Sequence, residues 1–399
     1  MQPNTLAWLP SEVSVPDNEI SPISTFLLKI SSRCNLDCNY CYVYQSLDQS
    51  WLEKPQFISQ RVVSKLASRI SEYACKHNLK EVTIILHGGE PLLAGINQLE
   101  QYFVTLSNYI DCEVDFAIQT NGTLLNESLL ELFASYNVKI GISLDGDKET
   151  NDTNRIYSNG KGSFDDVKKS IELINSSEEW QKIFGGILTV INLDNSPRKI
   201  YQAFIDLGVN SVDLLLPDSN HETLPHRPTD DYQENSYGKW LADFFDIWYE
   251  SSTNLEIRFF EEIISLLLNG GSTTESIGSP IVDFVVIESD GSIEPVDTLK
   301  VVGRHATDLG MDIFSNSLDE ITQHPAIYSR MLGEKVLCST CKNCKELMNC
   351  GGGYIPHRYS EANGFLNPSV YCNDLQYIIN HIRDKLHYLL SVESNHAGI

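Results

Sequence analysis

Six short apolar segments recur along the first half of the chain, and an amphipathic stretch separates each from the next. They are TFLLKI (25–30), VTIILHGG (82–89), DFAIQTNG (115–122), KIGISLDG (139–146), FGGILTVIN (184–192) and SVDLLLP (211–217). The segments are almost continuous in apolar residues, as expected for strands that helices cover on both faces. Several of the intervening stretches open with Ser, Asn or Asp and close with Asn or Gly, which are typical helix caps. We therefore predict an α/β fold in which a parallel sheet curls into a partial (β/α)6 TIM-like barrel.

The pattern also predicts how the chain is divided. We expect an N-terminal extension (1–23), the barrel (24–216), a linker with bridging helices (217–280) and a cysteine-rich domain with a C-terminal helix (281–399). The linker opens with a polar, proline-bearing loop (217–235), followed by amphipathic helices near 236–250 and 256–269. The last part begins with a predicted hairpin whose turn is Asp290-Gly291 and ends in a helix near 374–391.

Charge and composition exclude several classes of protein. The 399 residues include 29 Lys and Arg against 54 Asp and Glu, a formal net charge of −25. Surfaces that bind nucleic acid through its phosphates are basic, so we expect no nucleic-acid partner. The chain has no apolar run long enough to span a bilayer and no secretory signal at its start. Ten cysteines in such a chain favour metal ligation over disulfides, and we expect a cytoplasmic protein that binds no membrane.

Three cysteines follow the first predicted strand in the run RCNLDCNYCYVY: Cys34, Cys38 and Cys41. Iron–sulfur clusters normally have four thiolate ligands, so three thiols at this spacing can hold a [4Fe-4S] cluster and leave its fourth iron free. A zinc knuckle or unrelated core thiols are the alternatives, but zinc sites usually group four ligands as two pairs. With Tyr40 and Tyr42, the run resembles the signature loop of the radical S-adenosylmethionine (SAM) superfamily. The resemblance implies that SAM binds the free iron, and that an electron from a donor such as flavodoxin or ferredoxin cleaves it to a 5′-deoxyadenosyl radical.

The second predicted strand ends in the run HGGEP (87–91). Gly88 and Gly89 allow a ligand to approach the backbone closely, and the Glu90 carboxylate can accept hydrogen bonds from an ammonium group. The run resembles the GGE-type motif of the same superfamily, which implies that Glu90 binds the amino group of SAM.

Polar residues at the later strand ends resemble further SAM-binding positions. The resemblance implies ribose-side contacts from Asn121, Ser143 and Asp145, although such residues are also common in ordinary turns. Residues 188–192 are expected near the adenine. Arg155 resembles an arginine that binds the substrate carboxylate in related peptide-modifying enzymes, and we group it with the cofactor-binding residues. An exposed surface arginine is the alternative.

The C-terminal part contains a second group of cysteines: Cys341, Cys344, Cys350 and Cys372. Their spacing resembles the SPASM or twitch extension of radical SAM enzymes that modify peptides, which implies one auxiliary [4Fe-4S] cluster. A zinc ribbon would use four cysteines equally well. A full SPASM module has two auxiliary clusters, but Tyr354 and Val296 occupy positions where that family has cysteines. The second auxiliary cluster is therefore expected to be lost, and Cys338 is left over.

Longer segments such as CGGGYIPHRYSEANGFLNPSVYCNDL resemble maturases that form three-residue cyclophanes in ribosomally made precursor peptides. The resemblance implies that the radical removes a Cβ hydrogen and that this carbon then joins a nearby aromatic ring. One electron and one proton must then leave, for which the auxiliary cluster and either Asp297 or Glu294 are candidates. A surface role in the hairpin is the alternative for both carboxylates.

The partner is expected to be a precursor peptide whose leader binds the barrel surface, the 217–235 loop or a separate protein. Thioether formation, epimerisation, formylglycine formation and a non-catalytic iron–sulfur partner protein are the alternative functions.

Overall fold

One sheet of nine strands organises the computed structural model, which describes Trp8, residues 21–228 and residues 235–396, with side chains up to 388. The strands are β1 (Thr25–Ser31), β2 (Glu81–Gly88), β3 (Glu113–Thr120), β4 (Lys139–Ser143), β5 (Phe184–Val190), β6 (Ser211–Leu215), β7 (Glu256–Ile257), β8 (Phe284–Ile287) and β9 (Ile293–Glu294). Their spatial order is β7-β6-β5-β4-β3-β2-β1-β8-β9, and only β8 and β9 pair antiparallel. The six predicted parallel strands are confirmed. The sheet has β7 and β9 at its edges, and its curvature into a barrel stays a prediction.

Helices follow the strands in the alternating order that the sequence pattern predicts. They are α1 (Gln60–His77), α2 (Ile96–Tyr109), α3 (Glu127–Ser135), α4 (Lys148–Asn154), α5 (Phe164–Asn175), α6 (Glu178–Ile183), α7 (Pro197–Asp206), α8 (Ser236–Tyr249), α9 (Arg258–Leu267), α10 (Leu318–Thr322), α11 (Pro325–Tyr328), α12 (Ser339–Lys342), α13 (Leu347–Cys350) and α14 (Cys372–His396). The ends of α1 show why the boundaries fall where they do. The Ser59 side chain accepts the Val62 amide at its start, and Asn78 adopts a left-handed conformation (φ 55°) at its end.

The two faces of the sheet differ in burial, and this difference locates the site. On one face Leu28, Ile84 and Ile142 are fully buried beneath the helices. On the other face the alternate residues of β2, β3 and β4 are only half-buried. The expectation that helices cover both faces is therefore wrong for the second face. Because the carboxyl ends of parallel strands meet at one edge, this half-open face leads directly to the loops that carry the predicted site residues.

The hairpin that begins the cysteine-rich part is confirmed, and it joins the main sheet. Strand β8 pairs with β1 in parallel, and Gly291 has a φ of +90° in the turn before β9. The helix predicted from residue 256 begins instead at Arg258, because the two preceding residues pair with β6 as β7. The final helix is longer at both ends than predicted.

Parts of two predicted segments lie outside the described residues, namely most of the extension 1–23 and residues 229–234 of the 217–235 loop. Among the helices that are described, none combines the length and apolar content needed to cross a membrane.

Candidate active site

The first group of thiols lies in the loop that leaves the carboxyl end of β1. Cys34, Cys38 and Cys41 are half-buried and close enough for their charges to interact. The Cys34 Sγ accepts the Leu36 amide at 3.4 Å, and burial raises the pKa of this thiol to about 12. Metal ligation requires the thiolate, which this environment disfavours unless a positive centre stabilises it.

A buried arginine lies beside these thiols. Arg155 is 8% exposed, and its guanidinium donates to the Tyr40 hydroxyl at 2.8 Å. Tyr40 in turn donates to the Asp145 carboxylate at 2.7 Å, so the three side chains form a chain of hydrogen bonds. Within the described chain the Arg155 Nε is buried without a partner, and its charge acts on Cys38 and Cys41. The surface-arginine alternative is wrong, and a buried cation with an unused donor beside thiols fits an anionic group bound there.

Gly88 and Gly89 have an architectural reason to be glycine. Gly88 has a φ of +139°, and a Cβ there would collide with the carbonyl oxygen of Ser31. A Cβ at Gly89 would collide with the Arg33 carbonyl and the Tyr44 hydroxyl. The end of β2 therefore lies against the backbone of the cysteine loop, and only glycine permits this approach.

Glu90 connects the second and third strands. It is fully buried. Its carboxylate accepts hydrogen bonds from the Leu92 backbone amide at 2.9 Å, the Thr120 hydroxyl at 2.7 Å and the Asn121 backbone amide at 2.8 Å. Burial nevertheless raises the pKa of Glu90. A carboxylate has about four lone-pair sites, so one acceptor site remains for the predicted contact with the amino group of SAM, which stays a prediction.

Asn121 and Ser143, predicted on the ribose side, make contacts of their own. The Asn121 side-chain amide donates to the Cys34 Sγ at 3.7 Å and to the Asn35 side-chain oxygen at 2.9 Å. The Ser143 hydroxyl accepts the Gln119 amide at 2.9 Å. Because hydrogen bonds to ligand sulfur tune the potential of an iron–sulfur cluster, Asn121 would act on a cluster held by Cys34, and its contact with a ribose stays a prediction.

The cysteine-rich segment brings five thiols together rather than four. Cys341 and Cys350 lie in α12 and α13, and Cys372 begins α14. Electrostatic contacts link them with one another and with Cys344, and Cys338 hydrogen-bonds to Cys341. Burial raises the pKa of both Cys341 and Cys350 to about 12. The leftover cysteine of the sequence pattern is thus part of the group.

A second buried arginine lies beside these thiols. Arg358 is 8% exposed, and burial lowers its pKa while the nearby Glu275, Cys341 and Cys338 oppose the shift. Its Nε has no partner among the described residues. A buried guanidinium is costly unless an anion compensates it, and a metal group held by thiolates supplies that negative charge.

The spacing of the thiols bears on the alternative of single zinc ions. In the part of the chain that the structure describes, no three Cys, His, Asp or Glu side chains converge tightly enough to hold one metal ion. Tetrahedral zinc–thiolate bonds of about 2.3 Å would bring the sulfurs within about 4 Å of one another. A four-iron cluster places each thiolate on a different iron and therefore needs wider spacing.

A buried ionic cluster that the sequence pattern did not reveal lies between the two halves of the chain. Lys29 in β1 is 3.1 Å from Asp297 and 3.3 Å from Glu288, while Lys300 pairs with Glu288 at 3.3 Å and with Glu294. All five side chains are nearly fully buried. The surface role considered for Asp297 and Glu294 is therefore wrong. The available signal was Lys29 itself, a single cation inside the apolar segment TFLLKI.

The two candidate bases differ in protonation. Burial alone would raise the pKa of Asp297, but Lys29 outweighs it and holds that pKa far below the usual range. The Tyr42 hydroxyl, next to Cys41, donates to the same carboxylate at 2.6 Å. Burial and the charge of Glu288 raise the pKa of Glu294, against the opposing effect of Lys300. Asp297 is thus a fixed anion that joins the cysteine loop to the C-terminal part.

Ordinary packing fills the positions expected to have lost a second auxiliary cluster. Val296 is 2% exposed in an apolar group with Ile355 and Phe365. The Tyr354 and Thr298 hydroxyls share a hydrogen bond of 2.6 Å.

Comparison with known proteins agrees with this geometry. Residues 28–187 match the sequence model of the Radical SAM superfamily. The cysteine-type anaerobic sulfatase-maturating enzyme of Clostridium perfringens (strain 13 / Type A) is 28% identical over 365 residues, covering 88% of this chain and 94% of that enzyme. The serine-type anaerobic sulfatase-maturating enzyme of Klebsiella aerogenes is 24% identical over 363 residues, covering 86% and 82%.

Solved structures share the fold. Native anSMEcpe with bound AdoMet superposes with a TM-score of 0.77 at 24% identity, covering 92% of this chain and 98% of that one. Streptococcus suis SuiB bound to its precursor peptide SuiA gives a TM-score of 0.57 at 15% identity, covering 88% and 76%. The match to the superfamily confirms the expected cofactors, SAM and iron–sulfur clusters. Residues 28–187 of this chain are thus similar to the Radical SAM superfamily, and the chain is similar along most of its length to anaerobic sulfatase-maturating enzymes.

Proposed function

We propose that this protein is a radical SAM enzyme that oxidises a side chain of a peptide or protein substrate by two electrons, beginning with removal of a Cβ hydrogen. One observation carries the proposal. Tyr42, beside the first thiol group, is hydrogen-bonded to Asp297, and the next residue, Thr298, contacts Tyr354 in the cysteine-rich segment. The loop that carries the first thiol group is therefore joined through residues 297 and 298 to the segment that carries the second, which supports a reaction that uses both.

The chain's own residues divide the work. Cys34, Cys38 and Cys41 would hold the cluster that binds SAM, and when bound this pair supplies a 5′-deoxyadenosyl radical. Arg155, fixed by Tyr40, places a positive charge where a carboxylate can bind.

The second thiol group would complete the oxidation. Cys341, Cys344, Cys350 and Cys372 would hold one auxiliary cluster as electron acceptor. Arg358 places a cation beside those thiols, which favours the addition of an electron there.

The product that we propose is a carbon–carbon crosslink of the cyclophane type in a precursor peptide, with the leader and a flavodoxin or ferredoxin as partners. The support is that Tyr354 and Val296 replace cysteines at positions expected to ligate a second auxiliary cluster. Formylglycine formation is the second candidate, because the chain resembles sulfatase-maturating enzymes over most of its length. Both reactions start at Cβ and release one proton and one electron, so the described geometry serves either.

Mass spectrometry of peptides can separate these products. The cluster-loaded protein would be incubated without oxygen with SAM, dithionite and two synthetic peptide series. One series carries aromatic-x-polar triplets such as Trp-Ala-Asn, and the other carries a single cysteine or serine. A crosslink removes two hydrogens and suppresses fragmentation between the joined residues. Conversion of cysteine to an aldehyde removes two hydrogens and exchanges sulfur for oxygen. Conversion of serine removes two hydrogens, as a crosslink does, but either aldehyde reacts with a hydrazide and the crosslink does not.

Two substitutions at cysteine provide the controls. Cys34→Ala should abolish 5′-deoxyadenosine formation, whereas Cys75→Ala should not, because Cys75 is exposed on α1 away from both thiol groups. Absence of 5′-deoxyadenosine with every peptide would contradict both candidate reactions.

A further inference from the structure

An aspartate in the loop after β6 lies at the same edge of the sheet as the loop that carries the first thiol group. Strand β6 ends at Leu215, and Asp218 follows three residues later. Because β6 runs parallel to β1 in the same sheet, Asp218 emerges at the edge where the cysteine loop begins.

Hydrogen bonds on both sides fix the backbone around Asp218. The carbonyl of Pro217 accepts the Tyr371 hydroxyl at 2.9 Å. Asn220, which is 1% exposed, donates to the Val301 carbonyl at 3.4 Å, at the end of the turn that Asp297 begins. The position of Asp218 is therefore set by the cysteine-rich segment and by the turn that carries Asp297.

The carboxyl of Asp218 has no partner, unlike the other acidic groups near the site. Among the described residues, no hydrogen-bond donor or cation contacts it, and the side chain is half-buried. Asp297 acts on it electrostatically, and the charge of Asp218 in turn acts on Tyr42, Tyr354 and Tyr371. Burial, with a contribution from the negative charge of Asp297, raises the pKa of Asp218 to about 7.

The other nearby carboxylates are poor proton acceptors. Asp297 is an anion held by Lys29 and Tyr42, and Glu294 is 4% exposed and paired with Lys300. Asp145 accepts the Tyr40 hydroxyl. A general base works best with a pKa near the working pH. Asp218 meets this condition, and no other described side chain occupies its carboxylate.

We propose that Asp218 is the proton acceptor of the oxidation, with Asp297 as a positioning residue that holds Lys29 and Tyr42. The assignment rests on the proposed function. The Cβ–H bond breaks homolytically, and its hydrogen atom completes 5′-deoxyadenosine. In crosslink formation the Cβ radical bonds to a ring carbon, and the C–H bond at that carbon then breaks. Its proton goes to the Asp218 carboxylate, and the remaining electron reduces the auxiliary iron–sulfur cluster. In formylglycine formation the same carboxylate takes the thiol or hydroxyl proton, and the electron again reduces the auxiliary cluster. A serine then yields the aldehyde directly, whereas a cysteine yields a thioaldehyde that water hydrolyses with release of hydrogen sulfide.

The kinetic test compares Asp218→Asn and Asp218→Glu with Asp243→Asn, an exposed control on α8. The substrate is whichever synthetic peptide the unaltered enzyme oxidises. Asp218→Asn should bind normal amounts of iron and form 5′-deoxyadenosine, but yield about 100-fold less product per 5′-deoxyadenosine. Asp218→Glu should restore most of this ratio. The unaltered enzyme should gain product yield as the pH rises through about 7, where Asp218 loses its proton, and Asp218→Asn should lose this dependence. An unchanged ratio and pH profile, or a loss of product that follows iron content, would overturn the assignment.

A second measurement needs no peptide. In the cluster-loaded, SAM-bound protein, infrared spectra should contain a protonated-carboxyl band that disappears as the pH rises through about 7. The band should be missing in Asp218→Asn and present in Asp243→Asn. If the Asp218→Asn variant and the unaltered protein gave the same titration, the assignment would fail even where a peptide product is found.

Discussion

Replacing Lys29 by methionine should destabilise the protein strongly at neutral pH. Lys29 is 3% exposed and is the shared partner of Asp297 at 3.1 Å and Glu288 at 3.3 Å. Methionine fills a similar volume but removes the cation paired with the buried Asp297 and leaves Glu288 with Lys300 alone. Breaking a buried ion pair on one side typically costs about 3 to 5 kcal/mol. For a chain of 399 residues, that corresponds to a fall of roughly 4 to 6 °C in the unfolding midpoint.

The pH dependence of this loss follows from the directions of the pKa shifts. The pKa of Asp297 is lowered in the folded state, so its contribution is present above its unfolded pKa and is lost as the pH falls through its folded pKa. The pKa of Lys29 is raised, because Asp297 and Glu288 outweigh its burial, so its contribution is present below about pH 10.5. The pair is thus at full strength across neutral pH. Without Lys29 the carboxylates can be protonated more easily, and the defect should shrink as the pH falls towards about 5.

Thermal unfolding of the cluster-loaded protein, followed by circular dichroism without oxygen, measures this effect. Lys54→Met is the matched control, because Lys54 pairs with Asp290 at 2.7 Å but more openly, at 16% and 38% side-chain exposure. Exposed pairs contribute about 1 kcal/mol or less, so the control should move the midpoint by only one or two degrees. The double variant Lys29→Met with Asp297→Asn should recover part of the loss. Equal shifts for both lysine variants, or a Lys29→Met defect that does not change with pH, would refute the reasoning.

Three further predictions concern the glycine motif and the second thiol group. Gly89→Ala should displace the cysteine loop and lower iron content by at least about two-fold, whereas Gly271→Ala, where a Cβ meets open space, should not. Arg358→Met should lower the reduction potential of the auxiliary cluster in an electron-paramagnetic-resonance titration, because a buried cation beside its thiolates is removed; an unchanged potential would contradict this role. Cys338→Ser should retain the auxiliary cluster and Cys341→Ser should lose it, as judged by iron per chain, and the reverse result would make Cys338 the ligand.

The sequence predicts the strands and the hairpin better than it predicts which of their faces are buried. The six parallel strands and the hairpin follow from local apolar patterns and from turn residues such as Asp290-Gly291. Strand β7 has only two residues, too short for any periodicity. The half-open face of the sheet was not predictable, because Leu27 and Ile85 lie on it and are as apolar as the residues of the buried face.

The same limit applies to the site. The thiols are marked by their spacing, and the structure brings each group together. The ionic cluster around Lys29 joins residues more than 250 positions apart, as in the contact with Asp297, so no local pattern contains it. Asn121 illustrates a different limit, since the sequence identifies its strand end but cannot show that its amide reaches the Cys34 sulfur.

The pairing of β8 with β1 gives the molecule a mechanical property that matters for the proposed reaction. Strands β1 and β8 are adjacent and in register from Thr25 with Phe284 to Leu28 with Ile287, and neighbouring strands lie about 4.8 Å apart. The segment that leads to the second thiol group is therefore attached to the strand that leads to the first by backbone hydrogen bonds. The path that an electron would travel between the two groups thus has a rigid, short-range scaffold. Its length is set by this strand pairing rather than by the 217–280 connection.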